Sequence, residues 1–475
     1  LIFGSKIASE YIQVRPGGDL ALFTGIAKYL MEKKQVDTKF IDQYTENFDD
    51  FKLYIKKINW SEIERSSGLA KSKISIIGDH YIKSKNTIFS WCMGVTHHLH
   101  GTATVQSIVN LALMRGMVGK KHAGLMPIRG HSNVQGIGSM GATPKLKKEI
   151  FNRLDKLGFS IPSSEGYDTL GCIKASEKKE IDFALCLGGN LYGSNPDSTN
   201  SHKALSNIDM TVYMSTTLNT GHIMGRGKET IILPVLARDE ETQMTTQESM
   251  FNFVRGSNGG FNRLKNLRSE VEIIGEIADR VVGDNKLIKW SKLKNHNSIR
   301  RLIAKIIPGF ESIKNIEKTN KEFHIPNRII HEPIFPTKSG KAKFIFHNIP
   351  ELKKLKKSQF QLLSVRSEGQ FNTVVYEDED LYRNQKQRNV ILMNKEDIKS
   401  LGFKKDEVVI VKSSIGTINN IIVRPYDVKE KVAVMYYPEV NAIISQDVDP
   451  ISKTPGFKSM LVEVSKIENR KVLQA

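Results

Sequence analysis

Two kinds of hydrophobic pattern alternate along the chain. Short apolar runs of strand length, Thr87 to Met93, Ile181 to Leu187, Met210 to Met214 and Thr230 to Leu236, each stop at small or polar residues. A continuous apolar run bounded by turn residues reads as a strand buried on both faces. Other stretches carry helical spacing. After Gly101, residues Val105, Ile108, Val109, Ala112 and Leu113 fall at i, i+3, i+4, i+7 and i+8, which is one face of a helix. Behind the turn Val14-Arg15-Pro16-Gly17-Gly18-Asp19, residues Phe23, Ile26, Ala27, Leu30 and Met31 form a similar face, with Asp19 placed to cap the helix. Residues 35 to 85 read as helices, with capping-box spacing at Ser61 and Glu64, and Glu270 to Val282 as another. Strands separated by helix-sized connections argue for a parallel sheet.

From Phe360 to Ile467 the pattern changes. Strands near Leu362, Val390, Val408, Ile421, Val432 and Leu461 alternate with turns around one short helix, Lys395 to Leu401. Short strands at such spacing predict a barrel. The boundary falls in the linker before it, giving domains 1–350 and 356–469.

Polar loops follow the strands. Thr96, His97, His98 and His100 crowd the end of the first. Gly188-Gly189-Asn190 ends the second, and Ser215-Thr216-Thr217-Leu218-Asn219-Thr220-Gly221-His222 the third. In open α/β sheets ligands lie beyond the carboxyl ends of strands, and two glycines there let a phosphate or sugar approach the backbone. Gly-Gly-Asn is not a dinucleotide fingerprint, and in isolation it reads as a plain turn. The loop Pro127-Ile128-Arg129-Gly130-His131-Ser132-Asn133-Val134-Gln135-Gly136 has no apolar period and a dense set of hydrogen-bonding side chains, which marks a binding loop.

That loop resembles the R-G-x-x-N-V-Q-G segment of molybdopterin-dependent oxidoreductases of the formate-dehydrogenase alpha-subunit type. The preceding G-V-T-x-x-x-x-G-T-x-T-V agrees with the same family, as do Ile-Leu-Pro at 232–234 and the turn at 336–344. The resemblance implies an α/β fold of parallel-sheet, Rossmann-like domains plus a C-terminal six-stranded double-psi β-barrel. It implies Mo-bis(molybdopterin guanine dinucleotide) as cofactor and two-electron oxidation of formate or a similar small substrate. Arg129 and His131 would be catalytic. A guanidinium stays protonated and can hold a small carboxylate while its C–H is oxidised. Arg15, Gly17, Asp19, Thr96, Asn133, Gln135, Gly188, Gly189, Asn190, Ser215, Thr216, Arg366, Gln370, Asn372, Asn441 and Lys458 would bind cofactor. Two departures stand out. Formate dehydrogenases commonly carry Gln or Asn where His131 and Ser132 stand and Gln where His97 stands, and an acidic residue that reads guanine often occupies the place of Ser215.

Composition narrows the partners. The 475 residues have 39% hydrophobic content and a formal net charge of +19, enough to attract anionic cofactors or nucleic acid. The Lys353-Lys354-Leu355-Lys356-Lys357 run lacks the interleaved aromatics of single-stranded nucleic-acid sites, so it reads as a solvated surface. No apolar run approaches bilayer length. Cys92, Cys172 and Cys186 form no C-x-x-C pair, which argues against a disulfide or metal framework and for a cytoplasmic protein. Cys92 and Cys186 read as inert core residues. His97, His98 and His100 have no acidic or cysteine partner at zinc-ligand spacing. The chain starts at Leu1. On the resemblance, an N-terminal portion carrying a 4Fe-4S cluster and the metal's protein ligand precedes it, and the 475 residues alone are expected to be inactive. The electron-transfer partner is unspecified. Two other classes stay open: a non-catalytic structural or electron-transfer relative of the family, and a basic nucleic-acid binder.

Overall fold

A computed structural model describes residues 8–327 and 330–467. The described residues form two compact units, one from residues 8–127, 330–371 and 375–467, the other from 128–327 and 372–374. Strands are numbered in chain order. The first unit holds β1 (Thr45–Glu46), β2 (Ile88–Trp91), β3 (Gly124–Pro127), β10 (Ala342–Lys343) and the barrel strands β11 (Gln359–Val365), β12 (Val390–Met393), β13 (Val408–Lys412), β14 (Thr417–Pro425), β15 (Val432–Tyr436) and β16 (Met460–Lys466). The second holds β4 (Phe183–Leu187), β5 (Met210–Ser215), β6 (Glu229–Pro234), β7 (Thr245–Glu248), β8 (Phe253–Ser257) and β9 (Phe323–His324).

In the first unit the helices Asp19–Glu32 and Gly101–Met114 pack on each other around Ile26, Leu30, Leu111 and Leu113. Of the expected face of the second helix, Ile108, Ala112 and Leu113 are buried and Val105 and Val109 are half-buried, and β2 pairs in parallel with β3. The predicted barrel is present and closed, in the order β11-β15-β12-β14-β13-β16. Its burial pattern follows its sequence. In β11, Phe360, Leu362 and Ser364 are buried and alternate with half-buried neighbours. β12 and β15 are buried at every position, because Ile391, Met393, Ala433 and Met435 face one cluster and Val390, Leu392, Val432, Val434 and Tyr436 another. Burying one such aliphatic side chain stabilises by roughly 2 kcal/mol, so these two strands anchor the barrel.

The second unit contains the expected parallel sheet, with β5 between β4 and β6, and an antiparallel sheet, β7-β8-β9. In the parallel sheet β5 is buried as its composition predicts, whereas β6, expected as a buried strand from Thr230 to Leu236, spans Glu229–Pro234 and has no buried residue. β4, the apolar run Phe-Ala-Leu-Cys-Leu, has no buried residue, and Phe183 and Leu187 are 55% and 53% exposed.

Local expectations are corrected at four places. The run 87–93 forms a strand only over Ile88–Trp91 and alternates between exposed and half-buried; Cys92 precedes a short helix, Met93–Thr96. Asp19 does not cap its helix. Gly18 is the capping residue, without a side-chain bond, and Asp19 lies in the first turn. Ser61 and Glu64 form no capping box, since their helix begins at Trp60 and Glu64 instead accepts the N–H of Lys71 at 2.6 Å. The three cysteines are free and partly exposed; burial pushes the Cys186 thiol up to about 11, which keeps it unreactive. The last two residues of the expected 356–469 domain lie outside the described residues.

Candidate functional site

The predicted residues divide between the two units; in the first, Arg366 and Lys458 share one cleft, and in the second, Asn133 and Thr216 line one cavity and Gly188, Gly189 and Asn190 another. In the first unit β11 and β15 run in parallel, with Val365 opposite Tyr436, so their carboxyl ends deliver Arg366 and Tyr437 to the same rim of the barrel. Lys458 reaches the same place from the turn before β16. Its backbone N–H donates to the carbonyl of His97 at 3.0 Å, which brings the end of β2 against the barrel. Together Cys92, Gly94, His97, Arg366, Arg383, Tyr437 and Lys458 line a cleft of about 280 Å³.

Positive charge dominates this cleft. Lys458 donates its ammonium to the carbonyl of Ser364; burial, with Arg366 and Arg383 nearby, lowers it to about 8. Arg366 donates to the carbonyl of Phe371 at 3.2 Å and lies over the ring of Tyr437 at 5.7 Å. His97 is pushed down to about 4 by burial and by Lys458 and Arg366. His98 is pushed down to about 3 by burial, then by its cationic and imidazole neighbours. Burial first, and the neighbouring cations second, keep these imidazoles neutral.

The histidines of the loop are tied to protein groups. His98 Nδ1 lies 3.1 Å from Ser459 Oγ, and His100 Nε2 lies 2.9 Å from the carbonyl oxygen of Gly17. Gly17 has φ +74°, and a Cβ there would sit 3.2 Å from the His100 ring, so the Pro-Gly-Gly turn needs glycine. Among the described residues no group of three or more His, Cys, Asp or Glu gathers as a metal site. Thr96 ends the short helix beside His97. Arg15, in the turn before Asp19, has a buried Nε without a hydrogen-bond partner. Burial raises the Asp19 carboxyl to about 6. Gln370 and Asn441 are buried in the barrel, the latter completely. Gln370 donates to the carbonyl of Tyr437 at 2.8 Å and accepts from Arg388 at 3.1 Å, so it braces the cleft wall.

In the second unit the loop after β3 carries Arg129 and His131, both exposed, on the approach to a short helix, Val134–Ser139. Asn133 has φ +65° and its Oδ1 accepts the N–H of Glu248 at 3.0 Å. A Cβ on Gly136 would fall 1.9 Å from that oxygen, which gives the Asn-Val-Gln-Gly spacing a physical reason. Ser132, Asn133 and Thr216 share a cavity of about 500 Å³ with Arg238, Glu241, His296 and Arg300. Gln135 follows in the short helix.

The loops after β4 and β5 are pinned together. Asn190 Nδ2 donates to Thr220 Oγ1 at 2.8 Å and to the carbonyl of Thr373 at 3.3 Å, while Asn219 Nδ2 donates to the carbonyl of Gly189 at 3.1 Å. Gly188 and Gly189, at φ +62° and +72°, have open space where a Cβ would stand. Ser215 is turned inward, donating to the carbonyl of Thr217 at 2.8 Å, and Thr216 is exposed. Asn372 accepts the N–H of Val374 at 2.7 Å, next to Thr373. Arg383 was not singled out from the sequence, where it sits in a charged stretch with no period to mark it; Cys92, read there as a core residue, lines the cleft.

Comparison with known proteins agrees with these features. Residues 3–280 match the family described as molybdopterin oxidoreductase, and residues 360–461 the molydopterin dinucleotide binding domain. Protein YdeP of Escherichia coli is 32% identical over 97% of this chain and 64% of its own length. The uncharacterized oxidoreductase Rv2900c of Mycobacterium tuberculosis is 30% identical over 97% of this chain and 62% of its own. The chain therefore spans less than two thirds of these relatives. The F420-dependent formate dehydrogenase subunit alpha of Methanocaldococcus jannaschii is 25% identical over 98% of this chain and 70% of its own. The acetylene hydratase of Pelobacter acetylenicus has the same fold, with a TM-score of 0.70 at 14% identity over 97% of this chain and 72% of its own. With one match covering more than half the residues and a second covering most of the barrel, the chain belongs to the molybdopterin oxidoreductase family.

Proposed function

We propose that this chain forms the greater part of a molybdenum bis-molybdopterin guanine dinucleotide oxidoreductase acting on formate or a similarly small anion. The observation that carries the reading is the cleft of the first unit, where Arg366, Arg383 and Lys458 meet beside neutral histidines. Such a cluster is costly to fold without an anion to offset it. The partnerless buried Nε of Arg15 and the open cradle over Gly188 and Gly189 also suit a large anionic group with a sugar and phosphates.

The residues would divide the work as follows. Arg366 and Lys458 would donate to phosphate or pterin oxygens, with Gln370 and Asn441 stiffening the wall behind them. Arg15, Gly17, Asp19 and Thr96 would hold one arm of the cofactor. Gly188, Gly189, Asn190, Ser215 and Thr216, with Asn372, would hold the other, and Asn133 and Gln135 would orient the pterin. When bound, the metal cofactor supplies the two-electron chemistry, which protein side chains cannot. Arg129 would hold the substrate carboxylate by charge-assisted hydrogen bonds, and His131, in the same loop, would orient the substrate or the pterin. The reading assigns an iron–sulfur cluster and the metal's protein ligand to polypeptide that the longer relatives carry outside the matched stretch. A non-catalytic relative is the second reading, favoured by His131 and Ser132 standing in place of Gln and Asn.

Molybdenum content, oxidised-pterin fluorescence and formate-dependent dye reduction of the full-length protein test both. Absence of metal and pterin sinks the cofactor assignment. Metal and pterin without formate turnover sinks only the substrate.

A further inference from the structure

One cation in the cleft of the first unit answers to no motif. Arg383 lies between β11 and β12, and its side chain is 23% exposed. Its Nη1 donates to Asp380 Oδ2 at 2.6 Å and to the carbonyl of Arg366 at 3.1 Å. Among the described residues its Nε and Nη2 have no protein partner, and a guanidinium carries five N–H groups. Asp380 is buried completely and is bound on every side. Its Oδ2 also accepts the hydroxyl of Tyr436 at 2.7 Å, and its Oδ1 accepts the N–H of Tyr382 at 3.1 Å and of Glu368 at 3.3 Å. Tyr436 ends β15, and Glu368 follows β11. Asp380 thus fastens the Arg383 loop to the two strands that deliver Tyr437 and Arg366.

We infer that Arg383 is a third anion-holding side chain of this cleft, beside Arg366 and Lys458, that Asp380 is its positioning residue, and that the trio takes a diphosphate. Arg366, Arg383 and Lys458 line the cleft, whose lining among the described residues includes no acidic side chain, and Asp380 pairs with Arg383, which leaves an excess of two positive charges. A diphosphate matches that excess, whereas a single carboxylate does not. Guanidinium groups suit phosphate oxygens by their planar fork. Naming the diphosphate as part of a dinucleotide rests on the cofactor reading; the anion site itself does not.

The test is calorimetric titration of the 475-residue chain with inorganic pyrophosphate. Arg383→Gln is expected to weaken binding at least tenfold, and Arg383→Lys to recover part of the loss. Lys354→Gln, in the exposed lysine run, removes the same charge and is expected to change binding less than twofold. Asp380→Asn separates positioning from charge. It removes a negative group, so a mere counter-charge would tighten binding on removal, whereas a positioning residue weakens it. If Asp380→Asn does not fold, as judged by circular dichroism, the two Arg383 variants decide. No pyrophosphate binding by the wild-type chain, an Arg383→Gln effect no larger than that of Lys354→Gln, or tighter binding by Asp380→Asn overturns the inference. Weakened pyrophosphate binding in a protein that never acquires pterin would instead keep this site and sink the cofactor reading.

Discussion

At the scale of single residues, charge and burial pull against each other around the first-unit cleft. His98 is 3% exposed and its folded value lies near 3, against about 6.5 for a free imidazole. The unfolded chain therefore binds more protons between those values. The stability His98 allows is complete above about pH 6.5 and falls as pH drops through the window, by on the order of 1 kcal/mol per pH unit at most. Urea midpoints measured from pH 7.5 to 5 are expected to fall, and to fall less steeply in His98→Gln; an unchanged slope would contradict the assigned burial. Lys458 has the same sign at higher pH. Its folded value near 8 lies below the usual 10.5, so the buried charge weighs against folding at pH 7 and that cost eases above pH 8. An anion beside it raises the ammonium again. Pyrophosphate binding at pH 8.5 should accordingly take up a proton, seen as a binding enthalpy that varies with buffer ionisation enthalpy and loses that variation in Lys458→Met.

At the scale of elements, the loops at strand ends are defined by glycine and asparagine. Gly136→Ala would place a Cβ 1.9 Å from Asn133 Oδ1 and break the bond to the Glu248 N–H. A loss of roughly 1 to 3 kcal/mol in second-unit stability is expected for the orphaned groups, measurable by hydrogen exchange at β7. Gly189→Ala meets open space but an unfavourable φ of +72°. It is expected to cost about 1 kcal/mol in thermal unfolding and, on the cofactor reading, to lower pterin content more than stability. β4 is the element whose sequence and surroundings disagree. An apolar edge strand with Phe183 and Leu187 exposed is prone to edge-to-edge association. Leu187→Lys is expected to reduce self-association in sedimentation of the 475-residue chain; unchanged sedimentation would show that β4 is not the contact.

At the scale of the whole molecule, the net charge of +19 promotes weak binding to any polyanion. Such binding should vanish within a few hundred millimolar salt and show no sequence preference. DNA retention surviving roughly 0.5 M salt would revive the nucleic-acid reading. Pyrophosphate binding should weaken less over the same range, because a buried pair is screened less than exposed charges. Among the described residues no helix is long and apolar enough to cross a membrane.

The sequence by itself determined the elements and the family. The spacing of short strands between turns specified the barrel, and β12 and β15 are buried throughout, whereas the equally apolar β4 has no buried residue. The Asn-x-x-Gly spacing was legible because both residues act within one turn of chain. Tertiary structure alone decided which polar groups remain available. Gln370 and Asn441 carry the same chemistry in sequence as Asn133, yet barrel closure places them inside the wall. Arg383 gave no local signal, because its role depends on Asp380, Tyr436 and Arg366, which meet only when β11 and β15 pair. Local pattern encodes what a residue can do with its near neighbours; burial and the field of distant charges arise only from the closed fold.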